Sequence, residues 1–373
     1  MRGSPFLLTT LCLAAAPAYA KPIDFSAVIE GHAGYGINPR LDTDRSSGAA
    51  SGRVRFSPML TAETSVSQTT LQGDYQREQY TNSYGHSQSV SGTLSHDQAL
   101  SEHLQTAFSA GYFRSNNILL NDTIDPGLLG DIASSQKLWR AQATGSVTWQ
   151  MSARDQISGG VNYAHEVADF FTSQSNYDQY GANFTYLRTL NARTKVGLRM
   201  NVSRFKTQID GDSTSLSPSV VVHQRLSAIW QLDADVGVII QRSGTPADVT
   251  SKGLGFHATL RGTYPRSSIC LTVGRDNSAT AFNGVRRELI ASARYSYRLT
   301  ELSTISARAS FLHNDSNSFI AASSTVVRGD IEYDRKLTQR LSAGVEGRGG
   351  YRKSLNGSGK SISGSAYVRF QIG

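Results

Sequence analysis

The chain has 373 residues, and its 37 lysines and arginines outnumber its 29 aspartates and glutamates to give a formal net charge of +8. Its two cysteines, Cys12 and Cys270, exclude a disulfide scaffold, because Cys12 lies in a predicted export signal. The positive charges are spread along the chain beside Asp and Glu, and with an export signal this argues against a nucleic-acid partner.

Residues 1–20 have the pattern of a secretory signal peptide. They begin with Arg2, continue with a short apolar stretch and end in the cleavage motif Ala18-Tyr19-Ala20. We therefore expect residues 21–373 to form the mature protein as one domain. No later apolar run approaches the roughly 20 residues of a transmembrane helix. The chain is therefore either soluble or crosses a membrane as strands.

Alternation of apolar and polar residues runs through the mature chain and is clearest in its last segment. The even-numbered residues from Ile362 to Ile372 are apolar or small, and the odd-numbered residues from Ser361 to Gln371 are polar. A period of two predicts a strand with one apolar and one wet face. The length suits a tilted membrane strand, which needs about 9–11 residues.

A short motif of a basic residue, a leucine and a polar turn recurs at a spacing of roughly 36 to 38 residues in the second half of the chain. It is centred on Leu190, Leu226, Leu299 and Leu337. The motif predicts hairpins whose short turns lie near Ser65, Ser101, Ala153, Ala192, Ala228, Arg266, Glu301 and Gln339. Longer polar loops alternate with these turns, for example Ile209–Ser213, Ser243–Lys252, Asn314–Ser323 and Asn356–Lys360.

Short turns on one side and longer loops on the other are typical of a barrel in the bacterial outer membrane, with the short turns in the periplasm. We therefore predict an all-β, antiparallel transmembrane β-barrel of about 18 strands, with 16 as the alternative because the N-terminal third is less regular. Either number encloses an aqueous channel. Aromatic residues beside the short turns form the predicted inner girdle: Trp149, Trp230, Tyr264 and Tyr297.

Many predicted strands carry a charged residue near their middle. An arginine on the lipid face costs about 2–4 kcal/mol at mid-depth, so the polar faces are expected to line the lumen. The candidates are Arg199, Arg261, Glu288, Arg294, Arg298, Arg308, Arg328, Asp330, Glu332, Glu346, Arg348, Arg352 and Arg369. Pairing across strands would stabilise the wall, and a positive excess predicts a mild preference for anionic or neutral hydrophilic solutes.

Other features of the sequence leave alternatives open or argue against catalysis. The longest loop, Asn116–Gln136, either narrows the pore, contacts a partner or folds back over the rim. His96 and Asp97 are neighbours on a predicted strand and point to opposite faces, so they form no relay. We find no nucleophile-elbow pattern and no metal-ligand spacing, and we expect no enzymatic activity and no cofactor.

Through the turn segments Tyr297–Ser303 and Asp334–Ser342 and its terminal strand, the chain resembles porin-like outer-membrane β-barrel proteins of Gram-negative bacteria. The resemblance covers the whole mature chain, and it is most similar to a family that often accompanies exopolysaccharide export. The assembly signal of such barrels usually ends on an aromatic residue, whereas Phe370 is followed here by three more residues.

The leading hypothesis is a passive outer-membrane channel for small hydrophilic solutes. The rival is an accessory or structural barrel in exopolysaccharide export or surface attachment, which would have no open pore of its own. The expected partners are outer-membrane lipid, the barrel-assembly machinery through the C-terminal strand, and a small-solute or polysaccharide cargo.

Overall fold

The computed structural model describes residues 23–39, 41, 47–81, 84–116, 137–169, 174–207, 211–243, 249–280, 284–316, 323–354 and 357–373. The predicted signal peptide and nearly all of the loop Asn116–Gln136 lie outside these residues. The described chain contains 18 strands: β1 Asp24–Ile37, β2 Gly48–Glu63, β3 Ser67–Tyr80, β4 His86–Ala99, β5 Leu104–Asn116, β6 Lys137–Gln150, β7 Asp155–Asp169, β8 Gln174–Asn191, β9 Thr194–Thr207, β10 Gly211–Arg225, β11 Trp230–Ser243, β12 Val249–Thr263, β13 Ser267–Thr280, β14 Gly284–Arg298, β15 Ser303–Ser316, β16 Ser324–Lys336, β17 Leu341–Ser354 and β18 Gly357–Ile372.

Each strand pairs antiparallel with the strands before and after it in the sequence. The first and last strands also pair with each other, from Ala27 opposite Ile372 to Ile37 opposite Ile362. The sheet is therefore a closed up-and-down barrel, which confirms the predicted fold class with 18 strands rather than 16. Among the described residues no helix is long and apolar enough to span a membrane.

The recurring turn motif has a common hydrogen-bonding pattern. A Ser or Thr hydroxyl at the start of the turn accepts a hydrogen bond from the backbone N–H three residues later, as Ser101 does from Leu104 at 3.1 Å and Thr338 from Leu341 at 3.0 Å. Short polar side chains stabilise turns in this way. The preceding leucine, such as Leu100 or Leu337, is left more than half exposed. The motif therefore consists of a turn that is stabilised by its own Ser or Thr side chain, preceded by an exposed leucine at the rim of the barrel.

All eight predicted short turns lie between consecutive strands at one end of the barrel, together with Asp24 and Gly373. At the other end the strands extend farther than the sequence indicated. Lys252 lies in β12 and Lys360 in β18, although both were expected in loops. Backbone pairing explains the difference, because these residues are hydrogen-bonded to neighbouring strands beyond the point where alternation is visible in the sequence.

The two faces of the wall differ in chemistry. The outward face exposes large apolar side chains, with Val161, Leu198 and Ile331 more than half exposed. Trp139 and Trp149 lie on this face of β6, ten positions apart. At about 3.3 Å per residue and a tilt of about 40°, they are separated by roughly 25 Å along the barrel axis, the height of a membrane-spanning apolar band.

The enclosed space is large. Eighteen strands spaced about 4.8 Å apart and tilted by about 40° give a backbone diameter of about 35 Å. Side chains from opposite walls cannot fill this width, so a barrel of this size encloses an aqueous lumen.

One part of the wall has less backbone pairing than the rest. β12 and β13 pair only from Phe256 opposite Arg275 down to Thr263 opposite Ser268. Above this point the wall is bridged by side chains: Asn277 Nδ2 donates to Gln241 Oε1 at 2.8 Å, and Arg287 Nη2 donates to the Lys252 carbonyl at 3.3 Å. We call this part of the wall the seam.

Hydrogen exchange of the purified barrel in detergent micelles tests the seam. We expect amides in residues 249–255 to exchange faster than those in residues 240–242, because only the latter are paired on both sides. Equal protection of the two segments would show that β12 and β13 are paired along their whole length.

Deleting residues 361–373 tests the closing of the barrel. The deletion removes most of β18, so β17 and β1 both lose their partner and the sheet has two open edges. We expect the deletion to abolish the heat-modifiable migration on gels that marks a folded barrel. Removal of Gly373 alone, which lies outside β18, is the control and should leave migration unchanged.

Candidate functional site: the charged inner face

The inner face carries interlocking charges where the barrel closes. Arg369 of β18 donates from Nε to Glu30 of β1 at 2.5 Å and from Nη1 to Asp334 of β16 at 3.3 Å. Its Nη2 lies 3.7 Å from Glu332. Tyr367 Oη donates to Glu332 at 2.6 Å and lies 2.8 Å from Asp334. We call these five residues the closing cluster, because they tie β16 and β18 to β1.

A glycine allows the closing cluster to form. Tyr367 lies on β18 and its two carboxylate partners lie on β16, so its ring must cross β17. Gly344 is directly opposite Tyr367 in the register. A Cβ at this position would meet the Tyr333 carbonyl oxygen and lie 2.5 Å from Tyr367 Oη. The tyrosine therefore reaches its partners only because β17 has no side chain there.

A second group of charges extends the network to β2 and β3. Arg53 Nη2 donates to His32 Nδ1 at 2.8 Å and approaches Glu346 of β17 at 3.5 Å. Arg348 Nε donates to Glu346 at 2.5 Å. Arg55 of β2 donates to Asp74 of β3 at 2.6 Å. Cross-strand pairs of this kind stabilise a sheet and fix its register.

Four predicted arginines share one row that runs across β12–β17. The register places Arg261 opposite Cys270, Cys270 opposite Arg294, and Arg294 opposite Arg308. The row continues through Asp330 to Arg348. We call Arg261, Arg294, Arg308 and Arg348 the arginine row. The row contains one carboxylate, Asp330, between its last two arginines. Arg348 also pairs with Glu346, and Arg261 lies near Asp233, so Arg294 is the arginine of the row that has Cys270 on one side and Arg308 on the other.

The remaining predicted residues lie on the same face. Arg199 Nη1 donates to Asp235 at 3.1 Å, and Arg261 Nη1 lies 3.9 Å from Asp233. Four others are described best by the residue opposite them in the register: Glu288 faces Asp276, Arg298 faces Thr304, Arg328 faces Ser310 and Arg352 faces Val326. Glu288 is buried, with 5% of its surface exposed.

One loop also reaches the inner face. Leu41, between β1 and β2, is buried to 3% exposure, and a Cβ on Gly350 of β17 would lie 2.5 Å from its Cδ1 atom. The neighbouring Asn38 has a left-handed backbone with φ of 48° and is also buried. Leu41 is thus an apolar contact between a loop and the wall. The sequence predicted a loop contact only for Asn116–Gln136, nearly all of which lies outside the described residues.

Sequence reasoning missed the N-terminal contribution to this site. Glu30, His32, Arg53 and Asp74 belong to β1–β3, where alternation is weaker. The signal was present in β1, since Glu30 and His32 alternate with Ile29 and other non-polar positions. Within the described residues, no group of three or more His, Cys, Asp or Glu side chains is arranged to hold a metal ion.

No protein-family model matches the sequence, and no curated protein matches it. Solved structures resemble its fold. A BenF-like porin from Pseudomonas fluorescens has 10% identity and a TM-score of 0.50, over 94% of this chain and 99% of that one. The outer membrane protein OpdK of Pseudomonas aeruginosa has 11% identity and a TM-score of 0.46, over 94% and 98%. A mutant of the ferric enterobactin receptor PfeA of Pseudomonas aeruginosa has 9% identity and a TM-score of 0.48, over 94% and 80%.

At such identity, the porin resemblance concerns the fold alone, and it agrees with the closed barrel. The fold and the apolar outer surface define the class: an outer-membrane β-barrel of the porin type.

Replacing Gly344 with alanine tests the closing cluster. The new methyl group has no room beside Tyr333 and Tyr367, so we expect the free energy of unfolding in urea to fall by about 1–3 kcal/mol. Gly349→Ala on the same strand is the matched control, because a Cβ there would lie 4.0 Å from its nearest neighbour, the Ser361 carbonyl oxygen. Equal stability of the two variants would contradict the proposed packing of Tyr367.

Proposed function

We propose that the protein is a passive channel of the bacterial outer membrane, through which small hydrophilic solutes diffuse, with a mild preference for anions. The observation that carries this proposal is a closed barrel of 18 strands whose inner face is lined with charged and polar side chains. A barrel of this width leaves an aqueous path unless loops fill it. Leu41 packs against Gly350 at one side of the lumen.

The preference for anions rests on the arrangement of charge rather than on its sum. Arginines and carboxylates alternate over much of the inner face, as in the closing cluster, and largely cancel. The arginine row is different, because Arg261 and Arg294 flank the neutral Cys270 and Arg294 lies opposite Arg308. A local positive row beside balanced charges attracts anions weakly, which supports a mild preference only.

The alternative roles have less support. A part in exopolysaccharide export or surface attachment stays a prediction, since no comparison and no described contact favours it. Absence of enzymatic activity is likewise part of the proposal. It is supported by the surroundings of His223 on the inner face. His223 Nδ1 lies 2.6 Å from Asp233, which also accepts a hydrogen bond from Gln231. Within the described residues no serine or cysteine is hydrogen-bonded to this His–Asp pair.

Conductance of the purified mature barrel in planar bilayers tests the channel. We expect stepwise ion conductance that falls as polyethylene glycols of increasing size enter the lumen, and a reversal potential on the anion-selective side in a salt gradient.

Arg294→Gln with Arg298→Gln should move that potential toward zero. Arg188→Gln with Arg335→Gln, on the outward face, is the matched control. A barrel that folds but does not conduct would overturn the proposal, and cation selectivity would overturn the anion preference.

Cys270 provides a second test, because it is the only thiol after residue 20. It lies between Arg261 and Arg294 on the inner face. We expect a water-soluble anionic methanethiosulfonate to label it in the folded barrel several-fold faster than a cationic one of similar size. Arg294→Gln should reduce the ratio. No labelling by either reagent would show that water does not reach this part of the lumen.

A further inference from the structure

Basic residues also occur on the outward face, and they are concentrated at the loop end. On β9, for example, the outward positions Leu198, Met200 and Val202 are followed toward the loops by Arg204 and Lys206. The same change from apolar to basic residues occurs on other strands. The outward cations of the loop end are Arg77, Arg114, Lys137, Arg204, Lys206, Arg242, Lys252, Arg287, Lys353 and Lys360. We call them the basic belt.

The belt has a clear positive excess. The outward face near it has two described carboxylates, Asp178 and Asp212, and the register adds Asp169 opposite Lys137 and Asp315 opposite Arg287. Ten cations therefore face four acidic positions, and an eleventh outward cation, Arg275 of β13, lies nearer mid-depth opposite Phe256 and Leu289. The short-turn end differs: among its described outward strand positions the cations are Arg188 and Arg335 alone. On the described outward strand positions, the positive charge is therefore concentrated in one ring around one rim.

The densest part of the belt lies on β9–β11. Arg204 and Arg242 are both directly opposite Thr214, one from each side. Two strand spacings separate the arginines by about 10 Å, with an exposed hydroxyl between them. Arg204 Nη2 also donates to Asp212 at 2.6 Å, a solvent-exposed pair that orients the guanidinium and leaves its other N–H groups available.

An aromatic layer lies beside this part of the belt. Tyr180 is opposite Arg204, and Lys206 Nζ lies 6.0 Å from the centroid of the Tyr180 ring. Tyr163 contacts Tyr180 with its ring tilted and the centroids 5.2 Å apart. Trp139 contributes a similar pair on β6 and β7 with His165. Tyr and Trp prefer the boundary between hydrocarbon and headgroups, so the belt lies at headgroup height.

We propose that the basic belt binds the phosphate groups of lipid headgroups in the outer leaflet, with the Arg204–Thr214–Arg242 row as its main site. Guanidinium groups bind phosphate through two parallel hydrogen bonds, and the central hydroxyl adds a donor. Each cation near an anionic lipid surface strengthens binding about five-fold, which corresponds to about 1 kcal/mol. The interaction orients the barrel with its loops outward and holds lipid against the seam, where Lys252 and Arg287 also lie. It does not depend on whether the lumen conducts.

The test uses the mature chain folded in neutral detergent. Native mass spectrometry or isothermal titration measures binding of a bisphosphorylated glycolipid, of its dephosphorylated counterpart and of inorganic phosphate. The belt variant is Arg204→Gln with Lys206→Gln and Arg242→Gln. Arg188→Gln with Arg335→Gln is the control, because it removes outward arginines at the short-turn end. Heat-modifiable migration establishes that each variant is folded.

We expect the phosphorylated lipid to bind the native barrel at least ten-fold more tightly than its dephosphorylated counterpart, with affinity falling as salt rises. The belt variant should lose about 100-fold in affinity for the phosphorylated lipid, and the control variant should bind as the native barrel does. Equal binding of both lipids, or an unchanged belt variant, would overturn the proposal. Equally tight binding of inorganic phosphate would show a free-anion site instead. Should the belt variant not fold, loss of the native barrel's binding at high salt decides the same question, and salt-independent binding contradicts the proposal.

Discussion

The structure depends on one constraint: every backbone N–H and C=O in the hydrocarbon layer needs a partner within the protein. A flat sheet fails this requirement at its two edges, and a closed sheet meets it. The pairing of β1 with β18 therefore determines the rest. Because this pairing closes the sheet, the number of strands sets the width of the lumen. Closure also determines which side chains face lipid and which face water. The seam is where this pairing is thinnest and where side chains replace backbone bonds.

The inner-face charges serve the wall and the lumen together. Arg369 bonds residues from β1 and β16, so it is a structural tie across the closing strands. Its charge is cancelled by the carboxylates that hold it, and it adds little to the field in the channel. Arg294 has neutral Cys270 on one side and Arg308 on the other. Its charge is not cancelled in the same way, so paired residues stabilise the barrel while the proposed preference for anions rests on Arg294 and its row.

On the outward face, most charged residues lie near the membrane interface, and apolar residues predominate at mid-depth. At mid-depth an arginine costs about 2–4 kcal/mol, and near the interface this cost falls to about 0–1 kcal/mol. Arg204 follows three apolar outward residues on β9 and lies where its cost is low and phosphate is near. Reading each strand as one apolar and one polar face assigned the arginines to the lumen. That interpretation did not include the change from apolar to basic residues along the outward face of a strand. This change becomes visible only when the strands are aligned by their register.

The sequence by itself determined the fold class, the hairpin order, the eight short turns and the face of each strand in the second half of the chain, because alternation and turn chemistry are local. It did not determine the ends of the strands near the loops, since β12 and β18 are extended there by pairing with neighbours. Only the tertiary structure decided that Glu30 meets Arg369, that Gly344 makes room for Tyr367, and that four arginines from β12, β14, β15 and β17 share a row. Those relations depend on register and closure between distant segments, which no local pattern encodes.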